Sequence, residues 1–156
     1  MKNQGFTLVE LVLTIVLVSI LSVVAVSQFS LDTTRLDLAE DKLVGDIQYA
    51  KRLAMTKGIT HGIFFEPAFE RYTVFEGTVA TPLPDPADRS QNFIIDYTTE
   101  SSFEGVTMTS ANFSGSSTLT FNGEGAPVDA GNVVIAFGAQ SRTMTVTPNT
   151  GKVTTP

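Results

Sequence analysis

Residues 1–29 read MKNQGFTLVELVLTIVLVSILSVVAVSQF. From position 11 to position 31 there is no charged residue, about 21 positions, which as a helix span roughly 31 Å at 1.5 Å per residue and match a bilayer core. One acid, Glu10, stands at the entrance to this run. An ionised carboxylate in hydrocarbon costs roughly 2.5–3.5 kcal/mol on an insertion scale, so its presence asks for a partner or a purpose. A cleaved secretory signal is the competing reading, with Lys2 as its basic region and Ala25-Val26-Ser27 as its processing site. The run is longer than the apolar core of such signals, about 7 to 15 residues, and an acid at its entrance does not fit them.

Helical periodicity continues past the apolar run. Leu36, Ala39, Leu43, Ile47, Ala50 and Ala54 recur at steps of three and four, with Arg35, Asp37, Glu40, Asp41, Asp46 and Lys51 between them. That is the pattern of a helix with one buried face, and the charged positions are expected on its solvated side. Lys51, Arg52 and Lys57 suit the negative end of the macrodipole, Gly58 supplies a stop, and the first proline is Pro67. The reading is one nearly continuous helix over residues 6–57, roughly 78 Å long, apolar all round in its first half and amphipathic over 32–57.

The chain of 156 residues carries ten Lys and Arg against sixteen Asp and Glu, net −6. Residues 1–58 are balanced, so the excess negative charge lies in 59–156 and argues against nucleic acid as a partner. Cysteine is absent, which excludes disulfides and thiolate chemistry. His61 is the single histidine, so no Ser-His or two-histidine site can form; it is expected in a strand, held by a hydrogen bond or solvent.

After Gly58 the texture is β-rich. ITHGIFFE and RYTVFEG predict a hairpin around Pro67; FIIDY, GVTMT, STLTFN, NVVIAF and RTMTVTP predict further strands. Leu119 and Phe121, then Val133, Ile135 and Phe137, then Met144 and Val146 alternate with residues for the other face. A sheet with one apolar side needs a cover, and the helix stripe is the candidate. Residues 78–92, with Pro82, Pro84 and Pro86, and residues 110–117, SANFSGSS, are expected loops, and NGEG a turn. Asp85, Asp88, Asp96, Glu100 and Glu104 have no spacing of a calcium loop and are expected to be solvated.

GFTLVE followed by an unbroken apolar helix resembles the processing signal of type IV pilins and the related pseudopilins. The resemblance implies an α+β fold: a long N-terminal helix, transmembrane in its first half, packed on an antiparallel β-sheet head. It divides the chain into a leader, 1–5, a transmembrane and filament-core helix, 6–31, and a periplasmic head, 32–156, with its amphipathic helix 32–57 and β-rich region 59–156. It implies cleavage by a prepilin peptidase between Gly5 and Phe6, N-methylation of Phe6, and a pairing of Glu10 with the Phe6 amine of a neighbouring subunit. Removing one member of a buried ion pair costs about 3–5 kcal/mol, so such a carboxylate would register subunits axially.

DLAEDKLVGDIQYAKRLAMTKG, LTFNGEGAPVDAGNVVIAF and RTMTVTPNTGKV are similar to the H-type minor pseudopilins, the GspH/FimT-like group, while residues 77–115 match nothing in it. DNA-binding relatives carry a basic tail; this chain ends VTTP, with Arg142 and Lys152 isolated, a departure that speaks against DNA. The implied role is a structural subunit, not an enzyme and without a cofactor, of a type IV pilus or a type II secretion pseudopilus. Its implied partners are other pilin or pseudopilin subunits, the prepilin peptidase, an inner-membrane assembly platform and, before assembly, membrane lipid. It would pass once through the bacterial inner membrane. The alternative is a membrane-anchored periplasmic binding module of the same machinery, recognising DNA or a secreted protein through the loops at 82–92 and 110–117.

Overall fold

The computed structural model describes residues 7–155, without the side chains of 23–32. One helix, α1, runs Leu8–Lys57. It opens at Thr7, which has extended backbone and accepts the Glu10 amide proton on its side chain, and it closes at Gly58. Gly58 adopts φ +66°, the left-handed region glycine enters without strain, and donates its N–H to the Ala54 carbonyl at 2.9 Å. The expected stop is therefore the observed one.

Eight strands follow: β1 His61–Glu66, β2 Arg71–Glu76, β3 Ile94–Asp96, β4 Thr107–Phe113, β5 Thr118–Phe121, β6 Gly131–Phe137, β7 Gln140–Val146 and β8 Val153–Thr154. The first two form the predicted hairpin, in register from His61 opposite Glu76 to Glu66 opposite Arg71, around a single 3₁₀ turn at Pro67–Phe69. They belong to a four-stranded sheet of order β3-β2-β1-β5, while β4-β6-β7-β8 makes a second; all pairings within named strands are antiparallel.

Two of these features differ from the sequence expectations. The head has two sheets where one apolar-sided sheet was expected, and the segment read as a loop at 110–117 is strand up to Phe113, turning only at 114–117. Phe113 is the reason. It is wholly buried and stacks on Phe65 of β1 at 5.5 Å between centroids and 16° between planes, so the apolar residue inside SANFSGSS joins the sheets. The proline-rich stretch does fold as a connection, yet it is pinned: Leu83 and Phe93 are buried, and each exchanges backbone bonds with β2 or with the other.

All six positions of the helical stripe, Leu36, Ala39, Leu43, Ile47, Ala50 and Ala54, are 0% exposed. They form one core with Ile63, Tyr72, Leu119, Phe121, Val133, Ile135 and Met144, so α1 is the cover that both sheets share. Gly131, at the start of β6, is required by this packing: a Cβ there would lie 2.0 Å from the Asn112 carbonyl oxygen on β4.

Truncating the stripe removes buried apolar area that cannot refill. Ile47→Ala is expected to cost about 2–5 kcal/mol, seen as a lower urea midpoint for the detergent-solubilised chain, whereas exposed Gln48→Ala stays within about 0.5 kcal/mol. Equal effects at the two positions would show that the stripe is not what binds helix to sheets.

Candidate functional site: the projecting half of the helix

Among the residues whose side chains are described, the head meets α1 from Thr33 onward, where the Thr33 hydroxyl lies 3.4 Å from the Gln140 side chain of β7. Before that point, every described large apolar side chain from Leu8 to Leu21 is 50–77% exposed, on all sides of the helix. A continuous apolar surface of this kind marks a membrane or protein contact, since monomers in water do not sustain one. Its hydroxyls fit the same reading. Thr14 donates to the Leu11 carbonyl at 2.8 Å, Ser19 to Ile15 at 2.7 Å and Ser22 to Val18 at 2.8 Å, so none of the three needs water.

Glu10 differs. Its backbone N–H is held by Thr7, with the side-chain oxygen at 3.3 Å, but its carboxylate has no ion pair among the described residues. Thr7 was not singled out from sequence, although Thr-Leu-Val-Glu has the spacing of a capping box and could have been found by it. Gly5 and Phe6 lie outside the described residues. The expected span 6–31 likewise runs across residues whose side chains are not described; among the described residues no helix is long and apolar enough to cross a membrane.

Polar contacts fix how the rod leaves the head. Arg142 of β7 reaches Asp37 at 2.9 Å and Glu40 at 3.2 Å, Arg35 reaches Glu104 at 3.4 Å, and Lys51 donates to the Thr150 carbonyl at 2.5 Å. Lys57 meets Glu76, whose carboxylate also lies 3.2 Å from Nε2 of wholly buried His61; Nδ1 of that ring is 3.0 Å from the Ile59 carbonyl. The Lys57 hydrogen bond is the main reason that the Glu76 carboxyl is held below the usual carboxylate range.

Asp46 corrects the expectation of a solvated position. It is 7% exposed and accepts from Lys42 Nζ at 2.7 Å and from the Tyr72 hydroxyl at 2.6 Å. Burial raises its carboxyl above the ordinary value, and the bonds from Lys42 and Tyr72 oppose the rise without cancelling it. The scattered carboxylates are local: Asp85, Asp88 and Asp96 each accept an N–H two residues on, from Ala87, Ser90 and Thr98. The described residues contain no group of three or more His, Cys, Asp or Glu placed to hold a metal ion.

A single long helix, half buried against antiparallel sheets and half projecting as an apolar rod, is an architecture of the type IV pilin class. Residues 1–26 match the prokaryotic N-terminal methylation motif, and residues 39–151 match the type II transport protein GspH. The chain belongs to the GspH family and is a minor pilin or pseudopilin of a type IV pilus or type II secretion system. Similar solved structures include the type IV minor pilin FimU of Pseudomonas aeruginosa strain PAO1, 18% identical over 76% of this chain and 86% of that one, with a TM-score of 0.55. The minor pseudopilin EpsH from the type 2 secretion system of Vibrio cholerae is 11% identical over 78% of this chain and 96% of its own, with a TM-score of 0.58. No curated protein sequence matches the chain. Members of the family are structural subunits that assemble with other pilins or pseudopilins.

The raised carboxyl of Asp46 sets the sign of a pH effect. The native state holds this proton more tightly than the unfolded chain, so the stability it adds is full below about pH 3.8 and is lost as pH rises through the folded value. Comparing melting temperatures of wild type and Asp46→Asn at stepped pH, the wild type should lose ground to the variant as pH rises from about 4 toward 7. Parallel curves would remove the buried carboxyl from the account. Asp46→Ala, which leaves the Tyr72 hydroxyl without its acceptor, should cost about 1–3 kcal/mol at either pH.

Proposed function

We propose that the chain is a filament subunit whose projecting helix serves first as a membrane anchor and then as filament core. Prepilin peptidase cuts between Gly5 and Phe6, Phe6 is N-methylated, and residues 6–31 hold the subunit in the inner membrane with residues 32–156 in the periplasm. An inner-membrane platform then moves the helix from lipid into a bundle of like helices. The observation that carries this reading is the all-round exposure of the apolar side chains from Leu8 to Leu21, with Thr14, Ser19 and Ser22 closed onto their own backbone. Such a surface is equally at home in acyl chains and among other apolar helices, so transfer between them carries no large desolvation barrier.

Glu10 gives that transfer its register. In a low-dielectric bundle an unpaired carboxylate is costly, and the new amine of a neighbouring Phe6 is the cation the processing step creates. Glu10→Ala is expected to leave the chain in the membrane fraction while lowering its recovery in sheared filaments or pseudopili by at least about tenfold. Unchanged recovery would remove Glu10 from assembly. Mass spectrometry of the mature wild-type protein should find N-methylated Phe6 as its first residue; a product starting near Gln28 would instead show ordinary signal cleavage.

A further inference from the structure

With sixteen acids to ten bases, a lysine or arginine on this chain has carboxylates to spare. Of the ten, Lys2 lies outside the described residues, leaving nine. Five take carboxylate partners: Arg35, Lys42, Lys57, Arg71 and Arg142. The other four, Lys51, Arg52, Arg89 and Lys152, have none among the described residues, and all four line three grooves along the C-terminal part of α1 that share wall residues.

The first groove, about 430 Å³, lies between α1 and the proline-rich connection and carries Arg89. A second, about 310 Å³, shares Tyr49, Asp85 and Pro86 with it and extends to Arg52. Arg52 is also in the wall of the third, about 390 Å³, which takes in Lys51, Met55 and Lys152. The two carboxylates in these walls are already occupied, Asp46 by Lys42 and Tyr72, Asp85 by the Ala87 amide. Cations therefore outnumber carboxylates along these walls: Asp85 is the one acid there without a cationic partner, and the third groove sets Lys51, Arg52 and Lys152 beside Met55, 53% exposed, with no carboxylate in its wall.

We propose that this grooved face docks an acidic segment of a neighbouring, different pilin-type subunit, whose carboxylates meet Arg52, Arg89 and Lys152 while its apolar side chains meet Tyr49, Pro86 and Met55. The proposal rests on the filament reading above. Duplex nucleic acid would set a continuous line of phosphates, and a second copy its own net charge of −6, against a chain that is itself net acidic. A short acidic segment feels only the local cations within a Debye length of about 8 Å. The grooves lie along residues 42–57 of α1, the same helix whose projecting half is proposed to pack among other subunits.

The test uses the full-length chain in membranes and filaments of producing cells. A water-soluble carbodiimide joins a lysine amine to a carboxylate in direct contact as an amide, and mass spectrometry reads the joined peptides. Lys51 or Lys152 should be found linked to Asp or Glu of a different pilin-type subunit. That yield should fall at least about tenfold in Arg52→Glu/Arg89→Glu and return in Arg52→Lys/Arg89→Lys, with the melting temperature unchanged in both. Links only to a second copy, or intersubunit links confined to other faces of the chain, would overturn the groove proposal while leaving the filament reading intact. So would a double reversal that instead abolishes binding of a short labelled DNA duplex. A chain with no intersubunit link at all and absent from filaments would bring down the filament reading as well.

Discussion

Everything in this fold depends on one unbroken helix that has to satisfy two surroundings. Over its second half α1 is the shared cover of two sheets, and from Leu8 to Leu21 its apolar side chains have nothing to cover. The apolar stripe decides the adhesion. Each fully buried Leu or Ile contributes about 1.5–3 kcal/mol, and Leu36, Leu43 and Ile47 are all wholly buried, whereas a surface ion pair such as Arg35 with Glu104 adds at most about 1 kcal/mol. Because α1 continues from the stripe into the projecting half without a break, a head fixed to one is fixed in direction relative to the other.

Adhesion alone would let the helix slide or turn, since a greasy stripe tolerates shifts that a hydrogen bond does not. The polar contacts supply that missing definition at separate heights: Arg142 at Asp37 and Glu40, Tyr72 at Asp46, and the Thr150 carbonyl at Lys51. Asp46 is the expensive member, because burial disfavours its charged form. A buried carboxylate held by a lysine and a tyrosine is weak support for stability and better understood as a device for choosing one seating among several.

The stripe, the glycine stop and most strands were legible because each is written locally, in a period of three to four or of two. Leu36 through Ala54 needed no knowledge of the sheets to be read as buried. Which strands share a sheet is not local: β5 joins β1 while β4, before it in the chain, joins β6, and no periodicity records that. Phe113 was hidden by its Ser and Gly neighbours, whose turn chemistry outweighed one aromatic. Asp46 was readable, for it stands three residues after Leu43 and four before Ala50, on the buried face by spacing; its charge was given more weight than its position. At the N-terminus the resemblance named Gly5, Phe6 and Glu10, while the Thr7 cap was written in the same six letters and passed over.

That cap bears on the assembly role proposed for Glu10. A glutamate at the third position of a helix is commonly used up in capping, yet here the Thr7 side chain takes the Glu10 amide and the Glu10 carboxylate stays without an ion pair among the described residues. Further along, Thr14, Ser19 and Ser22 spend their hydroxyls on their own helix. Among the described polar side chains from Glu10 to Ser22, the carboxylate is thus the one whose demand is not met within the helix. Neighbours sliding along so uniform an apolar rod would find nearly equal packing at every step, and under the proposed assembly a lone carboxylate is what would make one step differ from the rest. In the filament proposed above, the apolar surface would set how strongly such rods associate, and the position of one carboxylate in the first turn of α1 would set where they stop.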